Sequence, residues 1–305
     1  MTIGIAVYGP GAARAALAGL EAVEAVGRGA IGGFVSLSVI LDGRLINLGT
    51  QRGGAHSLLS QPAFVRVAGA RHAVLMSSGP DRPEPLSQFT PGDPATGLMT
   101  GHRLPNMAGR DGQPPNLVAL GAMTEGAAPA KAIETALNAD PQLDAGLIAL
   151  NLAGDIALGN SVSVGARDDI GSAHYTGQGI AVAVLHNTIF PCHALAELAV
   201  SAIRDHIDPD DDAPNSGTAI GKTVHPGPGR AVLIGPAGIE GFEAPGEEWQ
   251  RPEWEGCPVR RGDPAKAGGK VVGRVIAEAY CILRGGVVTG TRGSDTISWI
   301  ERDTT

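Results

Sequence analysis

The spacing of apolar positions changes along the chain and marks out its elements. Ile3 to Tyr8 is a short apolar run that stops at Gly9-Pro10-Gly11, and it predicts a strand. Ala12 to Val26 is rich in Ala and Leu with apolar residues at helical spacing, and Gly27 and Gly29 end it. Ile31 to Leu41 and Arg44 to Thr50 are strand-like runs joined by Asp42-Gly43, the strongest hairpin signal in the chain. The pattern then recurs. Pro129 opens a helix over Ala130 to Ala139, as a proline in a first turn does. Asp144 to Asn151 follows, with a turn near Ala153-Gly154 and a return through Asp155 to Ser161. Two related helix-plus-hairpin units are therefore expected, over residues 12–56 and 129–166, each ending in small polar residues.

The remaining segments complete an α+β reading. Phe64 to Val67 and His72 to Met76 are short candidate strands. Residues 77–115 are punctuated by Pro and Gly and read as a long insert loop, of a length that often carries function. Gly179 to Leu185 is a buried strand, and Pro191 opens a helix from Cys192 to His206. Arg230 to Ile234 reads as a strand and Glu240 to Gly262 as a loop region. Lys270 to Leu283 fits helix or strand, with Val271 to Cys281 spaced more like a helix. Val287 to Gly290 and Thr296 to Ile300 are closing strands. Hairpins packed by helices, with long Gly/Pro-rich loops, predict a layered α+β protein forming a single domain over residues 1–305.

Composition narrows the chemistry. Aromatic residues are only 4%, so the core must be built from Ala, Val, Leu and Ile. A net charge of -8 without a Lys/Arg cluster argues against nucleic acid as a partner. No apolar run is long enough to span a bilayer, and the first residues lack a basic leader, so a cytoplasmic protein is expected. Cys192, Cys257 and Cys281 are too far apart in sequence for a zinc knuckle, and no metal or cofactor is expected. The acidic stretch 208–212 reads as a solvated loop. Gly217 to Thr223 ends in Gly-Lys-Thr but lacks the strand and glycine spacing of a phosphate loop.

The two helix-plus-hairpin units resemble the plant-type asparaginases, isoaspartyl peptidases and glycosylasparaginases. The first carries the likeness over Ala15 to Thr50. The second carries it over Ala130 to Glu134, Asp140-Pro141, Asp144 to Leu147 and Gly154-Asp155-Ile156. Those enzymes are N-terminal-nucleophile (Ntn) hydrolases. The resemblance implies a four-layer αββα sandwich and hydrolysis of an amide by a threonine exposed by self-cleavage. Such a threonine usually opens a Thr-Val-Gly or Thr-Ile-Gly strand well past the middle of the chain, and none stands there. An uncut polypeptide is therefore expected.

Three groups of residues offer the required chemistry. Thr50 precedes Arg52, Gly53, Gly54 and His56: a hydroxyl nucleophile, a cation for a carboxylate, glycine amides for an oxyanion, and an imidazole. His186, Cys192 and His193 form a second group, in which a helix start would favour the thiolate. His102 and Arg103, inside the punctuated loop, would close over a ligand, and Asn160 and Ser161 end the second hairpin as substrate-binding groups. The reading that follows is a hydrolase of a small amide bond acting through Thr, Ser or Cys. A non-catalytic small-molecule binder of the same fold and a structural homo-oligomer are the alternatives.

Overall fold

Alternation along Thr2-Ile3-Gly4-Ile5-Ala6-Val7-Tyr8 makes β1 (Thr2–Tyr8) a two-faced strand in the computed structural model. Ile3, Ile5 and Val7 face one core, and Ala6 and Tyr8 another. The structure describes all residues except 111, 141, 178, 209–213 and 302–305. Where the sequence reading expects one domain, the chain divides into two compact units, Met1–Asp208 and Pro209–Thr305. Both helix-plus-hairpin units fall in the first.

In the first unit β1 is followed by α1 (Ala12–Val26), β2 (Phe34–Leu41), β3 (Arg44–Thr50), α2 (Gly54–Leu59) and β4 (His72–Ser78). Next come β5 (Gly92–Asp93), β6 (Gly97–Arg103), α3 (Pro115–Thr124), α4 (Pro129–Asn138), β7 (Ala145–Asn151) and β8 (Ile156–Asn160). The unit ends with α5 (Val162–Gly165), β9 (Ile170–Gly177), β10 (Ile180–Asn187) and α6 (Cys192–Ile207). Asp42 and Gly43 both take positive φ, the geometry that the tight turn between β2 and β3 demands. Six strands form one antiparallel sheet in the order β3-β2-β4-β1-β10-β9, and four form another, β5-β6-β7-β8.

Each sheet has a helix face and a sheet face. α1 and α6 pack together over the larger sheet, burying Leu17, Leu20, Val23, Leu195 and Ile203 against Ile3, Ile5, Val35, Leu37 and Val184. α3 covers the smaller sheet through Ala119 and Met123, and α4 through Ala132, Ile133, Ala136 and Leu137, against Leu147 and Ala149. The remaining faces meet through Ala6, Val74, Leu98, Ile148, Leu150, Ala183 and Leu185. Each large aliphatic side chain in these layers contributes about 1.5–3 kcal/mol of burial.

Several expectations are corrected. Phe64–Arg66 is a 3-10 turn rather than a strand, with Phe64 held in the helix-side core. The insert at 77–115 is not all loop: β6 inside it is an interior strand of the smaller sheet. In the second unit Lys270–Ala277 and Cys281–Arg284 are strands, because alternate positions such as Val275, Cys281 and Leu283 feed a β core. The supposed loop 240–262 overlaps the strand Gly238–Ala244 and contains the strand Trp254–Gly256. Among its described residues the second unit forms a ten-stranded sheet around Phe242, Trp249, Val275 and Trp299. Most of the acidic stretch 208–212 lies outside the described residues. No helix among the described residues is long and apolar enough to cross a membrane.

Candidate functional site

Period-two alternation decides which polar groups meet. In the space between the two sheets, apolar side chains give way to polar ones at one end. Thr2 of β1 pairs with Asn187 of β10 on one side and Ser78 of β4 on the other. Opposite them, β6 ends in His102-Arg103 and β8 in Asn160, with Gly146 of β7 between His102 and Asn160. Thr2, His102, Asn160 and Asn187 come from four strands in two sheets.

Their geometry is closely specified. Thr2 is buried; its Oγ1 donates to Asn187 Oδ1 at 2.7 Å and accepts from the Arg103 N–H at 2.6 Å. Asn187 Nδ2 donates to Thr188 Oγ1 at 2.9 Å, and Thr188 Oγ1 donates to Asp169 at 2.5 Å. Asp169 receives a two-armed contact from Arg167, which holds its carboxyl down at about 2. His102 Nε2 donates to Asn160 Oδ1 at 2.7 Å across Gly146, where any Cβ would lie 2.2 Å from the imidazole. Burial pushes His102 down to about 4, so its ring is neutral at physiological pH. Arg103 forks onto Asp144, and these hydrogen bonds, with the guanidinium charge behind them, lower that carboxyl. Among the described residues only Asp42, Arg103 and Thr188 combine a side chain with positive φ, and two of the three stand in this cluster.

Met1 precedes Thr2 at the start of β1 and is exposed. Its Sδ accepts the Ala30 N–H at 3.0 Å. Its amine is pushed down by burial first, then by the charges of Arg103 and Arg82. Arg82 Nε in turn donates to the Ser78 hydroxyl at 3.1 Å, one strand away from Thr2.

The candidates named from sequence do not all arrive here. His102, Arg103 and Asn160 do, although His102 and Arg103 lie on an interior strand end and not on a closing loop. Thr50 lies three strand steps from Thr2, roughly 14 Å at the usual spacing. Its hydroxyl bonds to the Arg52 carbonyl at 2.8 Å and lies 3.3 Å from Ser57 Oγ. Arg52 is exposed and pairs with Asp81, and His56 is exposed. Gly53 and Gly54 start α2, where the Ala55 N–H donates to Glu24. Ser161 caps α5 and donates to the Leu143 carbonyl, a structural role.

The cysteine group is corrected as well. His186 points to the helix face of the larger sheet, opposite to its neighbour Asn187, and packs on Gly171 near the Cys192 carbonyl. Cys192 does begin α6, but burial and the nearby Asp169 raise its thiol instead of lowering it. His193, one residue on, is exposed. That group holds no ready thiolate.

Sequence reasoning missed Thr2, Asn187 and Asp169. A signal for Thr2 was present: Thr2-Ile3-Gly4 is the tripeptide the resemblance asks for, standing at the start of β1. The neutral partners of Asn187 gave no such sign.

Residues 2–216 match the family described as domain of unknown function DUF6963, and residues 221–296 match domain of unknown function DUF7259. No curated protein matches the chain.

Proposed function

The chain belongs to the DUF6963 family, and from the polar end of its inter-sheet core we propose that it hydrolyses a small amide bond with Thr2 as nucleophile. The helix–sheet–sheet–helix stacking of the first unit supports an αββα architecture of the Ntn-hydrolase kind. The observation that carries the reading is the Thr2 hydroxyl. It is buried at the meeting of both sheets, held by an amide oxygen and a backbone N–H.

Neither partner of Thr2 Oγ1 is a base. Asn187 is a neutral amide and the Arg103 N–H only donates. The proton acceptor is then the α-amine of Thr2 itself, which is available after water adds across the Met1–Thr2 bond and Met1 leaves with a new carboxylate. In the reaction Thr2 Oγ attacks the substrate carbonyl carbon and its proton passes to the Thr2 amine. The Ala30 N–H, now engaged by Met1 Sδ, turns to the developing oxyanion. Collapse breaks the C–N bond, and the leaving amine takes the proton from the Thr2 ammonium. Water then cleaves the ester at Thr2. The Arg103 N–H stabilises the nucleophilic oxygen, and Asn187 is oriented by Thr188 and Asp169.

Intact-mass spectrometry and an amide-substrate screen test this. The active protein is expected to begin at Thr2. Thr2→Ala is expected to lose about 10³-fold or more in turnover while staying folded, and Thr2→Ser to retain a measurable part. Thr50→Ala and Cys192→Ala are expected to keep near-full turnover. Full activity in Thr2→Ala, or in protein still carrying Met1, overturns the assignment.

A further inference from the structure

β9 ends the larger sheet, and its outer edge carries unpaired backbone groups. Among the described residues it pairs with β10 alone, in unbroken register from Ile170 opposite Asn187 to Gly177 opposite Ile180. The Thr188 N–H donates to the Asp169 carbonyl at 2.7 Å, and that bond sets the alternation along the strand. Gly171, Ala173 and Tyr175 turn their backbone groups to β10, and Ser172, His174 and Thr176 turn theirs outward. Free edges are blunted by charges, prolines, bulges or a covering segment. β3, at the opposite edge, carries Arg44 at its start, and Gln61 Nε2 covers the Gly49 carbonyl at 3.0 Å. β9 has no Pro, Lys, Arg or acidic residue, its register has no bulge, and Ser172, His174 and Thr176 are exposed.

The helix beside this edge carries a matching charge pattern. α6 packs on β9 and β10, and Ser172, His174, Glu197, Ser201 and Arg204 line one open cleft of about 400 Å³ between strand and helix. Glu197 and Arg204 are exposed, and neither forms an ion pair with a described residue. The Arg204 guanidinium is held over the Tyr175 ring, 3.9 Å from its centre. The two charges stand two helical turns apart, about 10 Å along the axis, with the small Ser201 between them.

We propose that β9 pairs antiparallel with β9 of a second copy of this chain, about a two-fold axis perpendicular to the sheet. The axis lies at His174, so that His174 exchanges N–H···O bonds with the partner's His174 and Ser172 with the partner's Thr176. The cleft puts the middle of β9 level with Val200 and Ser201 of α6. The same axis therefore passes between Val200 and Ser201 and sets Glu197 against the partner's Arg204, and Arg204 against the partner's Glu197. The backbone edge and the charge pair become self-complementary about one axis. Such a contact closes on itself and leaves no free β9 edge for a third chain.

Sedimentation velocity of the full chain across a dilution series tests this, with hydrogen exchange as the local readout. A dimer is expected, in which the Ser172, His174 and Thr176 amides gain protection as concentration rises. His174→Pro removes an outward N–H and leaves the β9–β10 ladder whole, so it is expected to weaken dimerisation at least about tenfold. His174→Ala keeps that N–H and is expected to keep the dimer. Glu197→Arg sets like charges together and is expected to weaken dimerisation at least about tenfold, and adding Arg204→Glu to it is expected to restore most of the loss. A chain that is monomeric at every concentration overturns the inference. So does a dimer that His174→Pro and Glu197→Arg leave unchanged, or one whose β9 amides gain no protection. Should His174→Pro fail to fold, Glu197→Arg and its rescue still decide.

Discussion

Replacing Gly4 with alanine probes the link between sheet spacing and the Thr2 site. Gly4 faces the smaller sheet, and a Cβ there would lie 2.4 Å from the Gly101 carbonyl oxygen. A relaxed carbon–oxygen approach is about 3.3–3.6 Å, so β1 and β6 must separate by about 1 Å. That displacement acts two residues from Thr2, whose Oγ1 now lies 2.6 Å from the Arg103 nitrogen. The bond would open to about 3.6 Å and cease to be one. Over-packing costs about 1–3 kcal/mol, and an orphaned buried N–H adds about 1–2 kcal/mol. The sum is about 3 kcal/mol, or a fall of about 1 M in the urea midpoint for a unit of this size. Tryptophan fluorescence would miss it, because Trp249, Trp254 and Trp299 all lie in the second unit. Hydrogen exchange of β1 and β6 peptides across a urea series reads the first unit directly. Gly69→Ala, with open space around its Cα, is the control and is expected to stay within about 0.5 kcal/mol of the parent. A Gly4→Ala protein with the parent midpoint and unchanged protection at Arg103 would refute the coupling of sheet spacing to the site.

Two further outcomes follow from ionisation. Burial raises Glu24 to about 7, so the folded protein holds a proton that the unfolded chain releases, and stability falls as pH rises from about 4.5 through 7. The full shift corresponds to about 3 kcal/mol, and with the carboxyl partly exposed about 1–2 kcal/mol is expected. Glu24→Gln should flatten that slope in unfolding experiments at pH 5 and pH 8; an unchanged slope would show that another group sets it. Cys192, with its thiol raised, should resist iodoacetamide at pH 7 in the folded protein, and rapid alkylation mapped by mass spectrometry would contradict its burial.

How far the fold could be read from sequence depends on which forces are local. The helix α1 and the Asp42-Gly43 hairpin were legible because propensity, spacing and turn chemistry agree within a few residues. The strand β6 was not. Gly97, Gly101 and the surrounding prolines look like loop, yet those glycines are where backbones of β6, β7 and β1 come close. Glycine as a spacer between strands and glycine as a turn former are the same letter. Lys270 to Leu283 misled for a related reason: its bulged register with neighbouring strands breaks strict alternation and leaves an apolar spacing that imitates a helix.

The candidate site divides along the same line. His102, Arg103 and Asn160 could be named because they are chemically conspicuous, but their meeting depends on pairings more than 40 residues apart. Thr50 and Cys192 had better local chemistry than Thr2. A glycine turn beside a hydroxyl, or a thiol at a helix start, is a motif that sequence displays. What it does not display is the face on which a side chain falls. Cys192 and His186 lie on the helix side of the larger sheet and Thr50 lies out on its edge strand, whereas Thr2 faces inward with Asn187. A one-residue change of face separates the neighbours His186 and Asn187. The parity of β1 and β10 therefore decides which candidate nucleophile meets the polar end of the inter-sheet core, and it selects the least conspicuous of the three.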